Sequence, residues 1–227
     1  MQTRQSIQCV TTLHYWLHLP EGYAQGGPTG SRGSWPLLIF LHGAGERGDD
    51  LERVKLHGIP RVVDEGMDLP MVAASPQCPA DSWWSLELRA LDALLDALLA
   101  DYQIDPRRIY LTGLSMGGFG TWSWALRRPS VFAALAPICG GLDGPPSAVR
   151  MVERLKDVPI WAFHGARDPV VPLEAQTRPV EELRRLGGPA RLTVYPEAEH
   201  DSWTVTYGNP ELYAWMLAQS RPGAQPG

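Results

Sequence analysis

The sequence predicts an α/β protein in which a mostly parallel sheet is covered by helices on both faces. Three observations predict it. Short apolar runs such as Leu37–Leu41 (LLIFL) and Val158–Phe163 (VPIWAF) are continuous rather than alternating, as strands buried on both faces require. Between such runs lie segments with helical periodicity, most plainly Leu86–Tyr102. Strands that alternate with helices pair in parallel, because the chain must cross back over the sheet before the next strand can join. The 227 residues suit one such domain, 1–227, with a core large enough to need neither disulfide nor metal.

Composition narrows the function classes. Hydrophobic residues at 44% and charged residues at 20% describe an ordinary globule. A formal charge of -5 with no Lys/Arg block excludes an electrostatic footprint for nucleic acid and offers nothing to an anionic membrane surface. Three cysteines, Cys9, Cys78 and Cys139, are odd in number and lack C-x-x-C spacing, so they read as reduced apolar side chains. The opening residues are interrupted by Gln, Thr and His and lack the apolar core of a signal peptide; a cytoplasmic protein is expected.

In chain order, Cys9–Leu19 alternates Val10, Leu13, Tyr15, Leu17 and Leu19 with polar residues, which predicts an antiparallel edge strand. Residues 21–36 are rich in Gly, Pro and Ser and form a surface connection. The strand Leu37–Leu41 follows, then a helix over Asp49–Glu65 interrupted near Gly58-Ile-Pro60, a buried strand over Leu69–Ala74, and the helix Leu86–Tyr102 with Leu88, Leu91, Leu95, Leu98 and Leu99 on its apolar face. After Asp105-Pro-Arg-Arg108 come a strand at Ile109–Thr112 and a helix at Ser115–Arg127. Strands at Ala133–Ile138, Val158–Phe163 and Ala190–Tyr195 alternate with a helix at Leu173–Leu186, and a last helix covers Pro210–Gln219. The tail, 221–227, is expected to be disordered. Fewer than twenty residues separate Ile138 from Val158, too few for a large lid domain.

The stretch that carries chemistry is Gly113-Leu-Ser115-Met-Gly117, between a strand and a helix. That is the form of a nucleophile elbow, in which a sharp turn exposes the serine hydroxyl and glycines let strand and helix approach closely. Upstream, Leu41 runs into His42-Gly-Ala-Gly-Glu-Arg-Gly48, a small-residue loop after a buried strand. The amide of Ala44, or of its neighbour Gly45, together with that of Met116, can hold the negative oxygen of a tetrahedral intermediate. Asp168 and His200 each follow a strand, at the edge where reactive residues of such sheets gather. Asp143 and Asp201 are rival acids, and His164, His42, His14, His18 and His57 rival histidines in structural settings. Trp83, Trp84 and Trp203 are candidates to line a pocket, although two adjacent tryptophans cannot both face one core.

The order Ser, Asp, His and the motifs LHGAGERGDD, GLSMGGFGTW, FHGARDPVVP and EAEHDSW together resemble serine esterases of the α/β-hydrolase superfamily, in the group called predicted peptidase or phospholipase-carboxylesterase-like and related to dienelactone hydrolases and feruloyl esterases. The resemblance runs from about Cys9 to Leu217 and implies an α/β-hydrolase fold. It also implies a carboxylesterase that hydrolyses short-chain or small aromatic acyl esters through an acyl-enzyme, with Ser115 as nucleophile, His200 as base and Asp168 as its orienting acid. No cofactor or metal is called for, and the partner is a small-molecule ester. A peptidase or amidase acting on short peptides, and a non-catalytic binding protein of the same fold, remain as alternatives.

Overall fold

In a computed structural model, residues 12–23 and 34–222 are described. They form a seven-stranded sheet, ordered β1-β3-β2-β4-β5-β6-β7. The strands are β1 (Tyr15–His18), β2 (Trp35–Leu41), β3 (Val72–Pro76), β4 (Ile104–Leu114), β5 (Ala134–Ile138), β6 (Ile160–Gly165) and β7 (Ala190–Tyr195). Only β1 pairs antiparallel, with β3; the remaining neighbours are parallel. This is the mostly parallel sheet that the alternation of elements predicts, with the antiparallel strand at its edge, as the resemblance to α/β-hydrolases implies.

The central strands show why their sequences are continuously apolar. Along β2, Leu37, Ile39 and Leu41 enter one core while Leu38 and Phe40 enter the other, and all five are fully buried. A strand covered on both faces cannot alternate apolar with polar, because each side chain meets a helix layer. On the first face lie α2 (Leu88–Asp101), α3 (Met116–Arg127) and α4 (Glu174–Arg185); on the second lie α1 (Gly58–Asp64), α5 (Trp203–Tyr207) and α6 (Pro210–Leu217).

Several expectations need correction. The helix expected over Asp49–Glu65 is divided into a 3-10 segment, Leu51–Leu56, and α1, broken where Gly58 takes a left-handed φ of +69°. The strand expected at Leu69–Ala74 begins and ends later, as β3. On α2 the buried leucines are Leu91, Leu94, Leu95 and Leu98, whereas Leu99 is exposed. Asp105–Arg108 does not precede the elbow strand but bulges from it. Trp35 pairs with Ile104 and Leu37 with Ile109, and Asp105 closes the bulge by accepting from the Arg107 amide and from Arg108 Nε, both at 2.9 Å. Three elements were not anticipated: a 3-10 turn at Ala44–Glu46, α5, and a ten-residue 3-10 helix at Pro146–Leu155 between β5 and β6. Cys9, Val10 and Thr11 of the expected first strand, residues 24–33 of the connection and 223–227 of the tail lie outside the described residues. Among the described residues no helix is long and apolar enough to cross a membrane.

Candidate active site

Ser115 stands between β4 and α3 with φ 52° and ψ -116°. A positive φ on a residue with a side chain costs on the order of 1–3 kcal/mol and persists only where the surroundings enforce it. Here the enforcement is steric and hydrogen-bonded. A Cβ on Gly117 would overlap the Leu41 carbonyl oxygen, so the α3 start can press against the end of β2 only because residue 117 has no side chain. The Ser115 amide donates to the Ile138 carbonyl at 2.9 Å, tying the turn to β5.

The Ser115 hydroxyl lies 2.9 Å from His200 Nε2, and His200 Nδ1 donates to Asp168 Oδ2 at 2.7 Å. The three side chains arrive from the ends of β4, β6 and β7. Gly165 makes the last approach possible, since a Cβ there would meet the carbonyls of Ala198 and Glu199, in the loop that carries His200. Backbone bonds from Ala166 to Tyr195 and from Arg167 to Ala198, at 2.9 and 3.0 Å, pin the acid loop to the histidine loop.

Asp168 has a side chain with no solvent exposure. Burial alone would raise its pKa. The bond from His200 and the amides of Val171 and Val170, at 2.9 and 2.8 Å to Oδ1, outweigh that penalty and hold the carboxyl below its ordinary range. An ionised acid fixes the proton of His200 on Nδ1 and leaves Nε2 as an acceptor facing the serine hydroxyl. This arrangement can draw a proton from the hydroxyl and return it to a leaving group.

The rival groups are accounted for by other contacts. Asp143 is exposed and accepts from Ser123, and Asp201 caps the first turn of α5 through Thr204; neither bonds to His200. His164 is buried, its pKa lowered chiefly by that burial, and Nε2 donates to the Val171 carbonyl at 2.9 Å while lying 3.3 Å from Asp168 Oδ2. His42 is fully buried, with a pKa brought down to about 4 by desolvation. As a neutral ring it accepts from the Cys78 amide at 2.9 Å. His18 donates to the Leu69 carbonyl, and the backbone carbonyl of His14 receives the Gln77 amide. Burial pushes the Cys139 and Cys78 thiols up to about 12, which keeps both protonated.

Ala44 and Met116 each begin a helical turn, and first-turn amides have no partner within the helix. Both residues line the cavity that Ser115 opens into, about 370 Å³ in volume. The Gly43 amide is engaged elsewhere, donating at 2.8 Å to the buried carboxylate of Glu46. Glu46 was not singled out from the sequence, although G-x-x-E has the spacing of a side chain reaching back to a helix start. Trp83, half exposed, lines the cavity, together with Phe119, Val170 and Val171, which sequence reasoning missed. Trp84 backs the same wall but is fully buried, and its Nε1 donates to the His42 carbonyl at 2.9 Å, so its contribution is packing. Trp203 is not among the lining residues: it packs edge-on against His200, 5.4 Å between ring centres, with His57 on it in turn. Among the described residues no cluster of His, Cys, Asp and Glu could hold a metal.

Comparison with known proteins bears on the family and the fold. Residues 80–209 match the model of the dienelactone hydrolase family. A protein named "Putative esterase NocK", from Nocardia uniformis subsp. tsuyamanensis, is 26% identical over 235 residues, which cover 99% of this chain and 64% of that protein. A crystal structure of a thermostable esterase is 38% identical with a TM-score of 0.76, over 92% of this chain and 60% of that one. A mutant of the feruloyl esterase module from Clostridium thermocellum, complexed with sinapinate, has a TM-score of 0.70 at 14% identity, a likeness of fold alone. The chain therefore spans less than two thirds of the length of the first two relatives.

Proposed function

The chain belongs to the dienelactone hydrolase family, and we propose that within it the protein is a serine carboxylesterase acting on esters of short-chain or small aromatic acids. The observation that carries the proposal is the unbroken line from Asp168 through His200 to Ser115, at 2.7 and 2.9 Å. Ser115 Oγ attacks the ester carbonyl as His200 Nε2 takes its proton. The carbonyl oxygen becomes negative against the Ala44 and Met116 amides, whose fixed dipoles stabilise charge that exists only in the transition state. Collapse expels the alcohol, which takes the proton from His200, and leaves an acyl group on Ser115. Water activated by the same histidine then releases the acid. None of these steps calls for a metal or cofactor.

The acyl group fits the cavity beside Ser115, where Trp83 and Phe119 offer flat apolar walls. Its 370 Å³ lies near the lower end of the range for small-molecule sites, which favours short or single-ring acids over long fatty chains. Three measurements test the proposal. Ser115→Ala should lower hydrolysis of p-nitrophenyl acetate on the order of 10⁴-fold or more, with the thermal unfolding midpoint retained. Wild-type rates across a p-nitrophenyl series should peak at short acyl groups. Retained activity in the variant refutes the nucleophile, and a peak at palmitate refutes the substrate class. An amide assayed beside its matching ester separates esterase from peptidase chemistry.

A further inference from the structure

The space beside Ser115 does not end at Asp143. A second cavity, about 350 Å³, meets the first there, since Ser85 and Asp143 line both. Leu88 of α2, Leu126 of α3 and residues of the 3-10 helix Pro146–Leu155 line it. A 3-10 helix has three residues per turn, so side chains three apart eclipse, and runs beyond three or four residues are uncommon. This one runs for ten residues and presents two different rows. Val152 and Leu155 fall in a row that is buried against the core. Ala148, Met151 and Arg154 fall in another row, which lines the second cavity. Packing explains the first row. It does not explain why the other holds Met151, a large apolar side chain left 49% exposed.

We propose that this second cavity is a subsite for the alcohol portion of the ester, and that the preferred substrates carry there a neutral apolar arm, aryl or alkyl. The inference rests on the esterase reading above, in which the small acyl group occupies the first cavity, so the arm that continues past Asp143 is the alcohol. Each cavity alone is small for a ligand site, and together they reach the middle of the usual range. The choice of a neutral arm follows from charge. Asp143 lines both cavities, is exposed, and its one hydrogen-bond partner among the described residues is the Ser123 hydroxyl at 3.3 Å. An anionic arm in this space meets that carboxylate. Arg127 is bound to Asp92 at 2.8 Å and Arg154 lines the same cavity, so charges of both signs face this space and a charged arm of either sign gains no uniform field there.

The test compares phenyl acetate, 4-biphenylyl acetate and a biphenylyl acetate carrying a distal carboxylate, on wild type, Met151→Trp and Ala148→Trp. Met151 is exposed, so the larger side chain can fill the cavity without entering the core; Ala148, in the same row, supplies a second obstruction. The expected result is a kcat/KM for 4-biphenylyl acetate about tenfold above that for phenyl acetate, a ratio lost in both variants. The carboxylated ester should fall about fivefold below the neutral one, and Asp143→Asn should narrow that gap. A biphenylyl-to-phenyl ratio near one in wild type, or one unchanged by both obstructions, overturns the subsite while leaving the esterase reading intact. Failure of wild type to hydrolyse any of the three esters would reject the esterase reading itself.

Discussion

Two segments that leave the carboxyl edge of the sheet are built in opposite ways. After β2, residues 43–46 have their backbone bonded group by group. Glu46 accepts from the Gly43 amide, Arg47 donates to the Ala44 carbonyl at 3.0 Å, Arg53 to the Gly45 carbonyl at 2.6 Å, and Gln77 to the Glu46 carbonyl at 2.9 Å. After β5, residues 140–155 make one side-chain hydrogen bond among the described residues, between Asp143 and Ser123. The difference fits the roles proposed for the two segments. An amide that meets developing charge loses its value if it strays by a fraction of an ångström, so the first segment is held by directional bonds. A wall that only shapes an apolar space needs volume in the right place, which two rows of a 3-10 helix supply through Val152 and Leu155 packed behind Ala148 and Met151.

The largest effect that sharpens this contrast concerns acid. His42 anchors the first segment as a neutral ring, its pKa about 4 in the fold against an ordinary 6.5. The unfolded chain binds a proton there more readily than the folded one. Stability from this group is therefore full above about pH 6.5 and lost as pH falls toward 4, on the order of 3 kcal/mol in all. Urea unfolding at pH 7 and pH 4 should show that loss in wild type and a flatter profile in His42→Gln, even where the variant is weaker at pH 7. An identical slope in both would mean that another group carries the acid sensitivity.

A smaller effect tests what the hydrogen bonds around the turn do. Glu46→Met keeps most of the volume but leaves the Gly43 N–H without its acceptor, loosening the turn that presents the Ala44 amide. The expected outcome is a kcat lowered about tenfold with KM nearly unchanged, because the oxyanion exists in the transition state and not in the bound ester. A rise in KM at constant kcat would instead place Glu46 in ground-state binding and break the contrast.

Much of the fold was legible because its central strands are covered on both faces. Leu37–Leu41 and Val158–Phe163 could be read as strands from short apolar runs, and the alternation with helices predicted their parallel pairing. What escaped had physical reasons. The 3-10 helix opens on Gly144-Pro-Pro146, which reads as a loop, and its apolar residues recur every three positions rather than with the 3.6-residue period. Helix α5 is five residues long and rich in Thr and Val, too short to show a period. Leu94 and Leu99 exchanged places on α2 because leucines occur all along that helix, and periodicity alone could not select the buried four. At the candidate site, the convergence of Ser115, Asp168 and His200 was legible because each lies just after a strand. The support beneath them was not. Glu46 folding back on Gly43, Trp84 turning inward to His42 and Trp203 flanking His200 are consequences of tertiary contact that no local pattern encodes.

The central claim is that Ser115 is the nucleophile, and covalent capture tests it most directly. Wild-type protein treated with a fluorophosphonate and digested should carry the phosphonyl group on the peptide containing Ser115. His200→Ala should slow labelling at that site by orders of magnitude, since the hydroxyl then lacks its base. Labelling at another residue, or ester hydrolysis that persists while Ser115 stays unmodified, would contradict it.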